Sequence, residues 1–222
     1  MTPAPRKVLS ETLTETLSTS LTLLVFSVVC AGLLAGAYLT TRPNIERSEQ
    51  LEKIRLVSQV LPRGFDNDPI RDALPLAADP LLGLKHPGLA YVAAKGGMPL
   101  AVVLEAVAPD GYAGEIKLLV GIGADGRLTG VRVTAHRETP GLGDYIEVAK
   151  SGWIRQFVGK DLDAPANAGW KVRKDGGQFD YVAGATITPR AVVKAVHKAL
   201  RYFAEHREML LHLPAKPTGE KP

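Results

Sequence analysis

Gly114-Glu115-Ile116-Lys117-Leu118-Leu119-Val120-Gly121-Ile122-Gly123-Ala124-Asp125-Gly126-Arg127-Leu128-Thr129-Gly130-Val131-Arg132-Val133-Thr134 is the stretch that decides the fold. Ile116, Leu118, Val120 and Ile122 fall on every second position, the period of a half-buried strand. Asp125-Gly126 is a strong hairpin dipeptide, because the tight turn needs a residue that tolerates positive φ. Val131 and Val133 then alternate with Arg132 and Thr134 as far as His136. Two such strands around a short turn predict an antiparallel pair.

Working outward, residues 100–108 (Leu-Ala-Val-Val-Leu-Glu-Ala-Val-Ala) predict a largely buried strand, with Gly111-Tyr112-Ala113-Gly114 as the turn that follows. Downstream, a helix is expected over about 145–157, presenting Ile146, Trp153, Ile154 and Phe157. Residues 170–174 and 178–183 predict a second hairpin around Asp175-Gly176-Gly177. Thr188-Pro189 reads as an N-cap with proline at the first helical position. Val192, Val193, Val196, Leu200 and Phe203 continue it as a 3.6-residue stripe, so a last helix is expected over about 189–212. The order predicts an α+β fold, an antiparallel sheet with flanking helices.

The chain has 222 residues, enough for one ordinary domain and an anchor. Residues 16–41 carry no formal charge, between Glu15 and Arg42. About 20 apolar residues at roughly 1.5 Å each cross a hydrocarbon core of roughly 30 Å. The expected organisation is a short cytoplasmic N-terminus (1–17), a transmembrane helix (18–40), an amphipathic helix and connection (41–90), a folded domain (91–212) and a disordered tail (213–222). A cleaved signal peptide is the competing reading, with Ala35-Gly36-Ala37 as its small-residue site. Arg6 and Lys7 precede the helix and Arg42, Arg47, Lys53 and Arg55 follow it. Charge alone leaves orientation open, because long following domains translocate largely regardless of it.

Composition excludes several functions. Net charge is +4 with both signs interspersed and no basic-aromatic stripe, so no nucleic-acid partner is expected. Cys30, the one cysteine, lies in the apolar segment, which leaves the domain no disulfide, thiol or iron–sulfur chemistry. The histidines (His86, His136, His197, His206, His212) do not cluster at ligand spacing, and no metal site is expected. A glycine-rich dinucleotide fingerprint is missing too.

Two segments carry the chemistry. In Asp180-Tyr181-Val182-Ala183-Gly184-Ala185-Thr186-Ile187-Thr188-Pro189-Arg190, small Gly184 and Ala185 allow close approach of a bulky ligand. Thr186 precedes a helix start, where unpaired N–H groups and the dipole favour a phosphate. In His136-Arg137-Glu138-Thr139-Pro140-Gly141-Leu142-Gly143-Asp144, proline and glycines preset a tight loop, and Asp144 is placed to cap a following helix. By themselves these are two ordinary strand-to-helix connections.

Together they resemble the FMN-binding domain family. The family's flavinylation motif is an acidic residue, two variable residues, Ser or Thr, then Gly-Ala-Thr; here it runs from Asp180 to Thr186. Ala183 stands where the family has Ser or Thr, a position that is not the attachment point. The resemblance implies FMN linked by phosphoester to Thr186, with Asp180, Gly184, Ala185 and Thr188 around it. It implies that Glu138, Thr139, Gly141, Leu142 and Gly143 line the ring and its ribityl chain. With the anchor included, most of the chain is similar to the G subunits of Rnf (Rsx) ion-translocating electron-transport complexes. That implies an electron carrier on the periplasmic side of a bacterial inner membrane, not a complete enzyme alone. The other Rnf subunits would be its partners, and the complex would couple ferredoxin–NAD electron transfer to Na⁺ or H⁺ movement. A periplasmic, FAD-dependent flavin transferase would make the attachment. The alternatives are the C subunit of the sodium-pumping NADH:quinone reductase and, in another class, a flavin-free scaffold subunit.

Overall fold

A computed structural model describes residues 5–212, and the side chains of residues 15–212 except Glu46 and Glu49. The elements are α1 (Pro5–Val60), β1 (Leu74–Leu76), β2 (Gly88–Lys95), β3 (Met98–Gly111), β4 (Gly114–Gly123), β5 (Leu128–Ala135), α2 (Ile187–Glu205) and α3 (Arg207–Leu211). Short 3-10 turns at Asp144–Ile146, Trp153–Phe157, Asn167–Gly169 and Arg173–Asp175 lie between β5 and α2. The chain divides into two compact units between Glu52 and Lys53. The expected tail, 213–222, lies outside the described residues.

The first unit is helical to its end. Leu21, Leu24, Phe26, Val28, Leu33 and Leu34 stay exposed in the isolated chain. Apolar side chains in so long a helix suit a lipid surround. Thr19, Thr22 and Thr41 each donate to the carbonyl four residues back, at 2.9, 2.9 and 2.7 Å. Hydroxyls satisfied within their own helix need no water. This is the one helix among the described residues long and apolar enough to cross a membrane.

The second unit is a five-stranded antiparallel meander in the order β1-β2-β3-β4-β5. Ile116, Leu118, Val120 and Ile122 of β4 bury into one core with Val102 and Leu104 of β3 and Val192, Val196, Leu200 and Phe203 of α2. The alternation in β4 is therefore a true guide to the face that meets α2.

The opposite face is covered as well, which the half-buried reading of β4 does not anticipate. Leu56, Val57, Val60 and Leu61 pack there on Tyr91, Ala93, Ala101, Val103 and Leu119. Thr129 Oγ1 donates to the Val60 carbonyl, Arg132 Nε to Gln59 Oε1 at 2.8 Å, and Tyr91 Oη to Glu105 Oε1 at 2.8 Å. Lys53 pairs with Glu105. The last two turns of α1 thus belong to the folded domain.

Four local expectations are corrected. The helix over 145–157 is two 3-10 turns, because the Ser151 hydroxyl donates to the Tyr145 carbonyl (2.7 Å) and accepts from Trp153 N (3.0 Å). Those bonds compete with the helical ladder. The second hairpin is one parallel bridge, Val172–Phe179, held by tertiary packing of Phe179 on Phe157 and Trp170 (centroids 4.8 and 5.0 Å). The last helix starts at Ile187 and breaks at His206. The connection before residue 90 contains β1 and the start of β2, short pieces without a sequence period of their own.

Candidate functional site

α2 presents its N-terminus beside the loop that follows β5. Thr186 occupies the N-cap position in helical backbone geometry, with no side-chain capping bond. Thr188, expected as the cap, is the second helical residue, and its hydroxyl turns back to Glu138 Oε2 at 2.6 Å. Pro189 is therefore third in the helix, where the missing N–H still costs no intrahelical bond. The first-turn amides of Ile187 and Thr188 are left without helical acceptors by the same rule.

Each loop is set by one glycine. Ala185 N donates to Val182 O at 3.0 Å across a turn whose third residue is Gly184, at φ +86. Leu142 N donates to Thr139 O at 3.1 Å across a turn whose third residue is Gly141, at φ +76. Negative then positive φ is the type II pattern, which asks for glycine third and accepts proline second, here Pro140. Ala183 is second in the other turn and exposed.

Two contacts join the loops, and a close approach leaves no room for a side chain at position 143. Glu138 meets Thr188 as above; Tyr145 Oη donates to Ala185 O at 3.3 Å; a Cβ on Gly143 would lie 3.2 Å from Thr188 Oγ1. Burial pushes the Tyr145 hydroxyl up to about 12, and the Glu138 charge adds to it, so it remains a donor at neutral pH. Asp144 caps its own loop, its Oδ1 accepting from Gly141 N at 2.8 Å. Thr139 gives its carbonyl to the amides of Leu142 and Gly143 (3.1 and 3.0 Å), and its side chain is exposed.

Asp180 stands at the other end of the motif, exposed and paired with Arg173 at 2.9 Å. Its backbone is gripped by Trp153 Nε1, which donates to its carbonyl (2.7 Å), and by Gln156 Oε1, which accepts from its amide (2.9 Å). Sequence reasoning misses Tyr145 and Gln156 as holders of this segment, and it marks Trp153 only as part of an apolar helix face. No local pattern reveals a residue whose partner lies more than twenty positions away.

The two loops and the start of α2 leave apolar side chains exposed: Leu142, Tyr181, Val182 and Ile187 are between 37% and 47% exposed. Thr186 itself is only 9% exposed. An apolar groove lined by Leu74, Leu76, Met209 and Leu210 includes none of these residues.

Residues 111–201 match the family described as FMN-binding domain, and residues 11–60 match the RnfG N-terminal region. The G subunit of the ion-translocating oxidoreductase complex of Pseudomonas aeruginosa is 53% identical over 206 residues, covering 92% of this chain and 96% of that protein. The proteins of that name from Vibrio cholerae serotype O1 and Shewanella baltica are each 46% identical, covering 94% and 86% of this chain and 100% and 91% of theirs. The residues present fit FMN: a hydroxyl free of capping at a helix N-terminus suits a phosphoester, and exposed apolar side chains beside it suit a flat ring. By likeness along nearly its whole length, the chain belongs to the family of G subunits of ion-translocating oxidoreductase complexes.

Proposed function

We propose that this chain carries electrons within a membrane-bound ion-translocating oxidoreductase of the Rnf type, through FMN held by a phosphoester to Thr186. The observation that carries the reading is Thr186 itself, a hydroxyl with no capping bond at the start of α2, beside helix amides without acceptors. The bound flavin supplies the reversible redox chemistry, and the protein supplies attachment, orientation and electrostatics.

The chain's own residues have distinct tasks. The amides of Ile187 and Thr188 and the helix dipole receive the phosphate charge. Leu142, Val182 and Ile187 give apolar cover. Gly184 and Gly141 hold the two turns. Trp153, Gln156 and Tyr145 fix the motif's backbone from beneath. Glu138, Thr139, Gly143, Ala185, Thr188 and Asp180 complete the surround expected from the motif.

α1 keeps the domain at the membrane, with the C-terminal domain on the periplasmic side. There a covalent link prevents loss of the cofactor. A periplasmic flavin transferase, with FAD as donor, makes the link, so the chain needs no base of its own. The other subunits of the complex are its electron partners. The match of residues 11–60 to the RnfG N-terminal region favours this reading over the quinone-reductase C subunit.

The test is intact mass and in-gel flavin fluorescence of the chain co-expressed with its transferase, beside Thr186→Val. A gain of one FMN less one water, abolished in the variant, is expected. An unmodified wild-type chain in a fully active complex refutes the reading in favour of a scaffold.

A further inference from the structure

We infer that Glu138 is a positioning residue: it sets the geometry at Thr186 by clamping the first turn of α2. The inference rests on Thr186 as the attachment point.

The buried polar or charged side chains among the described residues are Glu138, Asp144, Thr186 and Thr188, two in the loop after β5 and two at the start of α2. Glu138 is 4% exposed. Its Oε2 accepts from Thr188 Oγ1 at 2.6 Å and its Oε1 from Ala113 N at 3.2 Å. The carboxylate therefore spans the β3–β4 turn, its own loop and α2. Space for it exists because two side chains are missing: a Cβ on Gly111 would lie 2.9 Å from Oε1, and one on Gly143 2.8 Å from Oε2.

The backbone of Glu138 is fixed as well. Its amide donates to His136 Nδ1 at 3.0 Å, which places the ring proton on Nε2, where it meets Glu147 Oε1 at 2.6 Å. No lysine or arginine pairs with Glu138 among the described residues, so its compensation is the helix N-terminus and its two donors. A buried carboxylate holds such donors firmly, since losing one leaves it desolvated and unpaired. Thr188 is two residues from Thr186 in the same helical turn. Fixing the Thr188 side chain holds the backbone of the first turn, and with it the amides of Ile187 and Thr188 and the Cα–Cβ bond of Thr186.

The test is the initial rate of FMN incorporation, followed by intact mass, when the full-length chain is incubated with flavin transferase, FAD and Mg²⁺. Thr188→Val keeps shape and removes the donor; Thr188→Ser restores it. Leu119→Ala, in the core on the far face of the sheet, supplies a comparably destabilised control. Misplacement of a reacting group predicts a rate for Thr188→Val at least about tenfold below that of Leu119→Ala at equal folded fraction, with Thr188→Ser near wild type. Equal rates for Thr188→Val and wild type overturn the inference, as does an equal loss in Leu119→Ala. If the wild-type chain takes no FMN, the attachment reading falls and hydrogen exchange of the unmodified chain decides. Faster exchange in the peptide over 183–191 in Thr188→Val alone supports the clamp, and unchanged exchange overturns it.

Discussion

Alanine at position 184 isolates one physical demand of the site. Gly184 sits at φ +86, and an added Cβ there would meet nothing within 4 Å. The cost of Gly184→Ala is thus backbone conformation alone. An L-residue in left-handed geometry costs about 1–2 kcal/mol, and alanine's smaller unfolded-state entropy returns about 0.4–1 kcal/mol. Should the turn flip to negative φ instead, the peptide between positions 183 and 184 turns over while the Ala185 N to Val182 O bond can survive, and the cost is bounded by the strain it relieves. Either route predicts a loss near 1 kcal/mol, which for a domain of this size lowers Tm by roughly 2–4 °C. Gly152→Ala is the matched control, with equally open space but φ −78, and it should be neutral or slightly stabilising. Thermal unfolding of both variants gives the comparison, and FMN incorporation tells the routes apart, because only the flip moves Thr186. Equal Tm values for the two variants, with wild-type incorporation, would refute the argument from φ.

Other outcomes follow from the same geometry. Ala183→Ser should change stability by less than about 0.5 kcal/mol and leave FMN incorporation unaltered, because position 183 is exposed and second in its turn; a large gain in incorporation would show that the missing hydroxyl matters. Gly121→Ala places a Cβ 2.8 Å from the Val60 carbonyl and should cost about 1–3 kcal/mol by overpacking, read as an earlier denaturant midpoint. Tyr145 has its hydroxyl raised to about 12 by burial, so the folded state keeps a proton that the unfolded state releases above about 10. Stability should therefore fall as pH rises from about 10 to 12, and less steeply in Tyr145→Phe, as seen in unfolding curves across that range. An alkaline phosphatase fused after Pro222 should be active, and its silence with an active cytoplasmic reporter would reverse the proposed orientation.

Local pattern is enough for some of this protein and useless for the rest. The long apolar helix and the face of β4 that meets α2 are legible because each depends on side-chain period and composition within one segment. The two glycine turns are legible for a similar reason, since a tight turn restricts residue choice at single positions, whereas the reading of Thr186 comes from family resemblance. Tertiary contact decides what no segment contains. Ser151 and the packing of Phe157, Trp170 and Phe179 replace a helix and a hairpin with turns. The end of α1 becomes part of the core because the far face of the sheet needs cover. Thr188 leaves its capping role because a buried carboxylate fifty residues earlier requires its hydroxyl. A sequence states which groups want partners; only the folded chain brings distant partners within hydrogen-bonding range, and that choice shapes the surroundings of Thr186.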